Sequence, residues 1–301
     1  MKRLVFLSGT RADFGKLKSL IEITNNQEEY ETHIFATGMH LNSNYGYTIR
    51  EIYKSGFENV FPFINHNNYD SMDLTTAKTI EGFSRYVSEY RPDLIIIHGD
   101  RAEALAGAIV GSMNNILVAH IEGGEVSGTI DELIRHAVSK LAHFHFVANE
   151  IAYQRLVQLG ELPESIRIIG SPDLDIMGRS DLPSLLQTNS RYEINFETFA
   201  LVIFHPVTTE YEMIENQIKN LCEALIVSKR NYVVIYPNND LGSDLILRAL
   251  KKLQSNPQIK IFPSIRFEFF LTLLKNAEFI IGNSSAGVRE APFLGIPSIN
   301  I

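Results

Sequence analysis

The chain has 301 residues, 45% hydrophobic and 21% charged, enough for two core-bearing domains and too apolar for a disordered protein. Its formal charge of −8 and pI near 5.6, with no run of basic residues, give no electrostatic footprint for nucleic acid or an anionic membrane. A small anion would have to be held by local positive groups.

The first segment, Met1-Lys-Arg-Leu-Val-Phe-Leu-Ser-Gly, has an apolar run of four residues. That is too short for a secretory signal, and no later stretch is long enough to cross a bilayer. The single cysteine, Cys222, cannot form an internal disulfide and fits a reducing compartment, so a cytoplasmic protein is expected.

Apolar, β-rich runs predict strands at 3–8, 32–37, 94–98, 116–121 and 144–148, with helical periodicity between them. This alternation implies an α/β fold with a parallel sheet and crossover helices. At 179–198 the pattern lapses into a polar stretch, read as a linker between a domain at 1–180 and one at 181–301. The second series predicts strands at 199–204, 232–236, 259–262, 278–281 and 296–301. It stops on an apolar strand without a covering helix, so a truncated or incomplete second domain is expected.

After the first strand, Ser8-Gly-Thr-Arg-Ala-Asp-Phe-Gly-Lys16 opens a helix whose N-terminal N–H groups favour an anion, with Arg11 and Lys16 adding charge. It misses the Walker A pattern by one residue of spacing and has Leu17 where magnesium needs Ser or Thr, which argues against a nucleoside triphosphatase. The plain alternative is a strand-to-helix turn.

Two later strands end in carboxylates, Leu94-Ile-Ile-Ile-His-Gly-Asp100 and Ile116-Leu-Val-Ala-His-Ile-Glu122, and the second continues through Gly123-Gly-Glu-Val-Ser-Gly-Thr-Ile-Asp131. Asp100, Glu122 and Asp131 are thus expected at the carboxyl rim of a parallel sheet, where open α/β folds bind ligands. Strand alternation would aim His98 with Asp100 and His120 with Glu122, which could ligate a metal, but core or supporting histidines are the stronger reading. His143 and His145 read as strand alternation. The glycines lack Gly-x-Gly-x-x-Gly spacing, so no nicotinamide or flavin fingerprint is present. A helix is expected from Thr129 or Ile130, with Arg135 and His136 placed to orient the acids, and Asp131 has a plain reading as a first-turn helix acid.

In the second half His205, Asn238 and Gly282-Asn-Ser-Ser-Ala-Gly-Val-Arg-Glu290 all follow strands. Ser284 and Ser285 read as helix N-caps or as a diphosphate site, with Arg289 and Glu290 one turn later for a phosphate and a ribose diol.

The segments Gly9-Thr-Arg-Ala-Asp, His98-Gly-Asp-Arg, 120–136, Lys140-Leu-Ala-His, His205-Pro-Val-Thr-Thr and 282–290 resemble the hydrolysing UDP-N-acetylglucosamine 2-epimerases, over nearly the whole chain. Glu-Val-Ser-Gly-Thr-Ile-Asp-Glu resembles the hydrolysing rather than the non-hydrolysing branch. The resemblance implies a GT-B architecture of two Rossmann-like parallel-sheet domains facing across a cleft, and a place at the start of bacterial sialic acid synthesis. It implies catalytic roles for Asp100, Glu122, Asp131 and His205, and nucleotide contacts from Arg11, Arg101, Asn238, Ser284, Ser285 and Glu290. Lys16 and Arg289 join that binding set from the residues themselves. No cofactor or metal is required, a UDP-sugar is the expected partner, and a dimer or tetramer is expected.

The implied chemistry is departure of UDP, anti elimination to 2-acetamidoglucal and addition of water, with the three crowded acids expected not to be ionised together. The alternatives are the same reaction on UDP-2,4-diacetamido-2,4,6-trideoxyglucose, a GT-B glycosyltransferase, a nucleotide-sugar binder without turnover, and a metallohydrolase.

Overall fold

In the first strand, β1 (Lys2–Ser8), Leu4 and Phe6 enter one buried cluster while Val5 and Leu7 enter another. A strand covered on both faces must be apolar continuously rather than alternately, and parallel sheets flanked by helices impose that condition. The computed structural model describes every residue except 67–69, 129 and 239. The chain folds as two compact units, Met1–Gly178 and Arg179–Ile301.

The first unit runs β1, α1 (Arg11–Asn25), β2 (Tyr30–Ala36), α2 (Ile49–Lys54), β3 (Val60–Pro62), α3 (Met72–Tyr90), β4 (Leu94–His98) and α4 (Ala102–Met113). It continues through β5 (Leu117–Ile121), α5 (Ile130–Leu141), β6 (Phe144–Val147), α6 (Glu150–Gln158), β7 (Ile166–Ile168) and α7 (Asp173–Met177). Among the described residues its strands form one parallel sheet in the order β3-β2-β1-β4-β5-β6-β7. Phe14, Leu17 and Ile21 of α1 and Ile49 and Ile52 of α2 cover one face, and residues of α3, α4 and α5 such as Phe83, Ala108 and Val138 cover the other. The strand order reverses between β1 and β4, which opens a crevice at their carboxyl ends.

The second unit runs α8 (Leu185–Tyr192), β8 (Ala200–Ile203), α9 (Ile214–Ser228), β9 (Tyr232–Ile235), α10 (Ser243–Lys251), β10 (Ile259–Phe262), α11 (Phe267–Lys275), β11 (Ile280–Gly282), α12 (Glu290–Phe293) and β12 (Ser298–Asn300). Its parallel sheet has the order β10-β9-β8-β11-β12, with the reversal between β8 and β11. Ala200, Val202, Ile218, Leu225, Val234 and Leu250 build its core, and Cys222 lies buried in α9 as its apolar pattern predicts.

The structure adds local detail to these expectations. The 179–198 stretch is not simply a linker, because it contains α8 with a complete capping box in which Gln187 N donates to Ser184 Oγ and Ser184 N to the Gln187 side chain. Arg266 N donates to the Tyr192 hydroxyl at 3.0 Å and Thr272 Oγ1 to the Pro183 carbonyl at 2.7 Å, so this helix is tied to α11. β3 and β7, three residues each, are too short to leave a pattern in the sequence. Of the two starts expected for α5, Ile130 is helical and Thr129 lies outside the described residues.

Candidate active site

The crevice of the first unit is framed by the loops after β1, β4 and β5. After β1, the Asp13 carboxylate accepts from Gly9 N at 2.9 Å, Thr10 N at 2.9 Å and Ser8 Oγ at 2.8 Å, while Asp13 N donates to Thr10 Oγ1. This capping box answers the expectation of a ready anion site: two of the loop N–H groups that a phosphate would use are already spent on Asp13. His40 is fully buried beside it, with Nε2 2.9 Å from Ser8 Oγ and Nδ1 2.8 Å from Thr48 Oγ1. Burial lowers its pKa to about 4, against a partial opposing pull from Asp13, so the ring is neutral near pH 7.

Arg11 occupies the first position of α1, one residue after the cap. Arg101 stands just before α4 and its Nε lies 3.4 Å from Glu103 Oε2. Sequence reasoning passed over Glu103 because it reads as a first-turn helix acid, yet it is buried against the β1 loop. A Cβ on Gly9 would stand 2.7 Å from its carboxyl carbon, so a side chain there would push the Glu103 carboxylate aside.

Asp100 follows Gly99 at the end of β4 and is ion-paired with Arg135 of α5. The same guanidinium donates to the Glu122 carbonyl at 2.7 Å, linking two of the three predicted acids. Asp131 lies one helical turn before Arg135 on the same face of α5 and is half-buried. Glu122 has φ +61, so the chain leaves strand geometry there. Its carboxylate is 3% exposed, 3.3 and 3.4 Å from Lys16 Nζ, and accepts from Ser171 Oγ at 3.2 Å.

These positions revise several expectations. Lys16 points not to the anion loop but to Glu122 and to Asp173, whose Oδ2 is 3.2 Å away. His98 lies beside Glu122 rather than Asp100, its Nε2 3.1 Å from Oε2 but off a hydrogen-bond angle. The alternation that would have aligned each His with its neighbouring acid fails because Gly99 and Glu122 both take left-handed backbone. His120 Nε2 is 2.8 Å from the Gly99 carbonyl and Nδ1 3.1 Å from Ser139 Oγ, so both ring nitrogens are engaged in tying β4 and α5 to β5. Burial lowers its pKa to about 3. The metal reading of these histidines thus gives way to a structural one for His120. Arg135 orients the acids as expected, whereas His136 leans toward Glu132, 3.9 Å away. Two of the crowded acids have counter-ions, Arg135 at Asp100 and Lys16 at Glu122. His145 pairs with Glu161 at 3.3 Å, and His143 Nδ1 accepts from Val118 N.

At the second unit's own switch point, neutral groups join the ends of its strands. Asn283 Oδ1 accepts from His205 N at 2.7 Å and its Nδ2 donates to the His205 carbonyl at 2.9 Å, closing a ring between the ends of β8 and β11. Asn238 contributes its backbone N–H to His205 Nδ1 at 3.1 Å. In a neutral ring this hydrogen bond puts the proton on Nε2. Gly282 has φ +143, and a Cβ there would fall 1.8 Å from the Ile203 carbonyl oxygen. The two hydrogen bonds of Asn283 join residues 78 apart, which no local pattern in the sequence reveals.

Ser284 Oγ accepts from Ala286 N, the plain capping role. The helix expected after it is a single 3-10 turn, Ser285–Gly287, followed by the four-residue α12. Such short pieces carry little macrodipole, so an anion there would gain little from a helix dipole. Ser285 is exposed, Arg289 stands just before α12, and Glu290 is buried at its start. Among the described residues no helix is long and apolar enough to cross a membrane, and no group of three or more His, Cys, Asp and Glu is arranged to hold a metal.

A family model described as UDP-N-acetylglucosamine 2-epimerase matches residues 22–301. The UDP-N-acetylglucosamine 2-epimerase of Neisseria meningitidis serogroup B is 50% identical over 301 residues, covering 100% of this chain and 80% of that protein. The UDP-N,N′-diacetylbacillosamine 2-epimerase (hydrolyzing) of Legionella pneumophila is 33% identical over 305 residues, covering 100% and 81%. The solved structure of Methanocaldococcus jannaschii UDP-GlcNAc 2-epimerase in complex with UDP-GlcNAc and UDP superimposes with a TM-score of 0.81 at 23% identity, covering 100% and 83%. At that identity the likeness speaks to the fold.

Proposed function

The chain belongs to the UDP-N-acetylglucosamine 2-epimerase family, and within it we propose the hydrolysing reaction, UDP-N-acetylglucosamine plus water giving free N-acetylmannosamine and UDP. The observation that carries this reading is the pair of acids bridged by Arg135, through the side chain of Asp100 and the backbone carbonyl of Glu122, with Lys16 at the Glu122 carboxylate. Relatives of hydrolysing designation at 33% and 31% identity, with the Glu125–Glu132 motif, support that branch. The 50% relative favours the N-acetylglucosamine substrate over the diacetamido sugar.

The hydrogen on C2 of the sugar has no adjacent carbonyl, so a carboxylate cannot remove it from the resting substrate at neutral pH. Breaking the C1–O bond changes its acidity. The bonding pair leaves with UDP, C1 gains oxocarbenium character, and loss of the C2 proton to a positioned base forms the C1–C2 double bond of 2-acetamidoglucal. Water then adds hydroxyl to C1 while an acid returns a proton to C2 on the opposite face. We assign Glu122 and Asp131 to the C2 proton and the water. Asp100, held by Arg135, supports the positive charge on the sugar.

In the second unit His205, with its proton on Nε2, is assigned as donor to the departing diphosphate. Asn238, Ser284, Ser285, Arg289 and Glu290 are assigned to the nucleotide, as are Arg11 and Arg101 of the first unit. Lys16 moves from that binding group to the carboxylates.

Proton NMR of UDP-N-acetylglucosamine with the protein in deuterium oxide tests the proposal. Free N-acetylmannosamine with deuterium at C2 is the expected product. UDP-N-acetylmannosamine would assign the chain to the non-hydrolysing branch, and sugar transfer with C2 hydrogen retained would make it a glycosyltransferase.

A further inference from the structure

The segment after β7, Gly170-Ser171-Pro172-Asp173, carries two side chains at the site that the motif reading left without a role. Asp173 is 1% exposed, with Oδ2 3.2 Å from Lys16 Nζ, the same ammonium that stands 3.3 Å from Glu122 Oε1. Ser171 Oγ spans the two acids, 3.2 Å from Glu122 Oε1 and 3.4 Å from Asp173 Oδ2. Asp173 Oδ1 is buried and has no hydrogen-bond partner among the described residues.

We infer that Asp173 is a positioning residue that sets the basicity of Glu122 by dividing the Lys16 ammonium between two carboxylates. An ammonium given to one carboxylate holds it strongly in the charged form, whereas a second carboxylate on the same ammonium weakens that hold and adds its own repulsion. Both effects raise the proton affinity of Glu122, as a group that must take a proton from carbon requires. Groups facing Glu122 among the described residues include His98 at the end of β4, Ser171, and Arg135 of α5, which reaches its carbonyl and carries Asp100 beyond. The inference rests on the proposed role of Glu122 for its purpose, but its test needs no substrate.

With carbon-13 in the glutamate carboxyls, and Glu122→Gln to assign the signal, the Glu122 carboxyl is titrated by NMR in the wild type, Asp173→Asn and Ser171→Ala. Asp173→Asn should lower the Glu122 midpoint by about one pH unit, and Ser171→Ala, which deletes a hydrogen bond to the carboxylate, should raise it. Should Asp173→Asn not fold, Asp173→Ser removes the same charge with a smaller side chain and carries the same expectation. A Glu122 midpoint unchanged or raised when the Asp173 charge is removed overturns the inference. In turnover, the acid limb of kcat should move with the midpoint while KM stays constant. A midpoint that moves without the limb would refute the catalytic assignment of Glu122 and leave the Asp173 inference standing.

Discussion

The two units solve one topological problem with different chemistry. Each reverses strand order beside its first strand, between β1 and β4 in one and β8 and β11 in the other, and each builds its candidate site at that reversal. In the first unit the crevice holds buried ions: Asp100 with Arg135, and Glu122 and Asp173 around Lys16. In the second it holds a neutral ring of hydrogen bonds joining His205, Asn238 and Asn283. A shared fold fixes where a site forms and leaves its chemistry to the side chains.

This contrast can be broken most forcefully at Glu122. Glu122→Gln should lower kcat by roughly 10²–10⁴-fold while the Kd for UDP, measured by calorimetry, stays constant. Loss of UDP binding in that variant would mean the two rims do not divide the work. Next comes Arg135→Ala, which leaves a half-buried Asp100 without its counter-ion and should cost about 3–5 kcal/mol in urea unfolding.

Protonation separates the units as well, because all of the nine histidines except His205 lie in the first. Burial lowers His40 to about 4 and His120 to about 3 from an ordinary 6.5. Above pH 6.5 the folded and unfolded chains both hold these rings neutral. As pH falls, the unfolded chain takes up protons first, so stability declines from about 6.5 down to about 4 for His40 and about 3 for His120. His40→Asn should remove about 3 kcal/mol of that decline, read from unfolding at pH 7 and pH 4.

Smaller effects are expected in the second unit. Asn283→Ala should cost about 1–3 kcal/mol, since the hydrogen bonds it makes are neutral, and should lower kcat/KM by loosening His205. A loss as large as that of Arg135→Ala would erase the distinction between the rims. Ser184→Ala should cost about 1 kcal/mol of stability, the value of a helix cap, and would test α8 as a folded part of its unit.

Much of the architecture is legible because helices and parallel strands impose distinct apolar periods, and β1, β4, β5, β8 and β9 lie within a residue or two of their expected places. α8 was hidden because its burial depends on Thr188 and on polar ties to α11 rather than on an apolar stripe. The carboxylates at strand ends were legible from position alone. Their partners were not: Lys16 and Glu122 are 106 residues apart, and Glu122 turns out of the strand, so counting along it gives the wrong neighbour. Asp173 looks in sequence like any acid at the first position of a short helix, and only the fold brings it to Lys16.

The proposed chemistry stands on departure of the nucleotide by cleavage between C1 of the sugar and oxygen. Turnover in water enriched in oxygen-18, with mass spectrometry of the UDP released, tests that step directly. The expected result is UDP free of the heavy isotope, all of its oxygens having come from the substrate. Oxygen-18 in the β-phosphate would mean that water attacked phosphorus, and would contradict an elimination at the sugar.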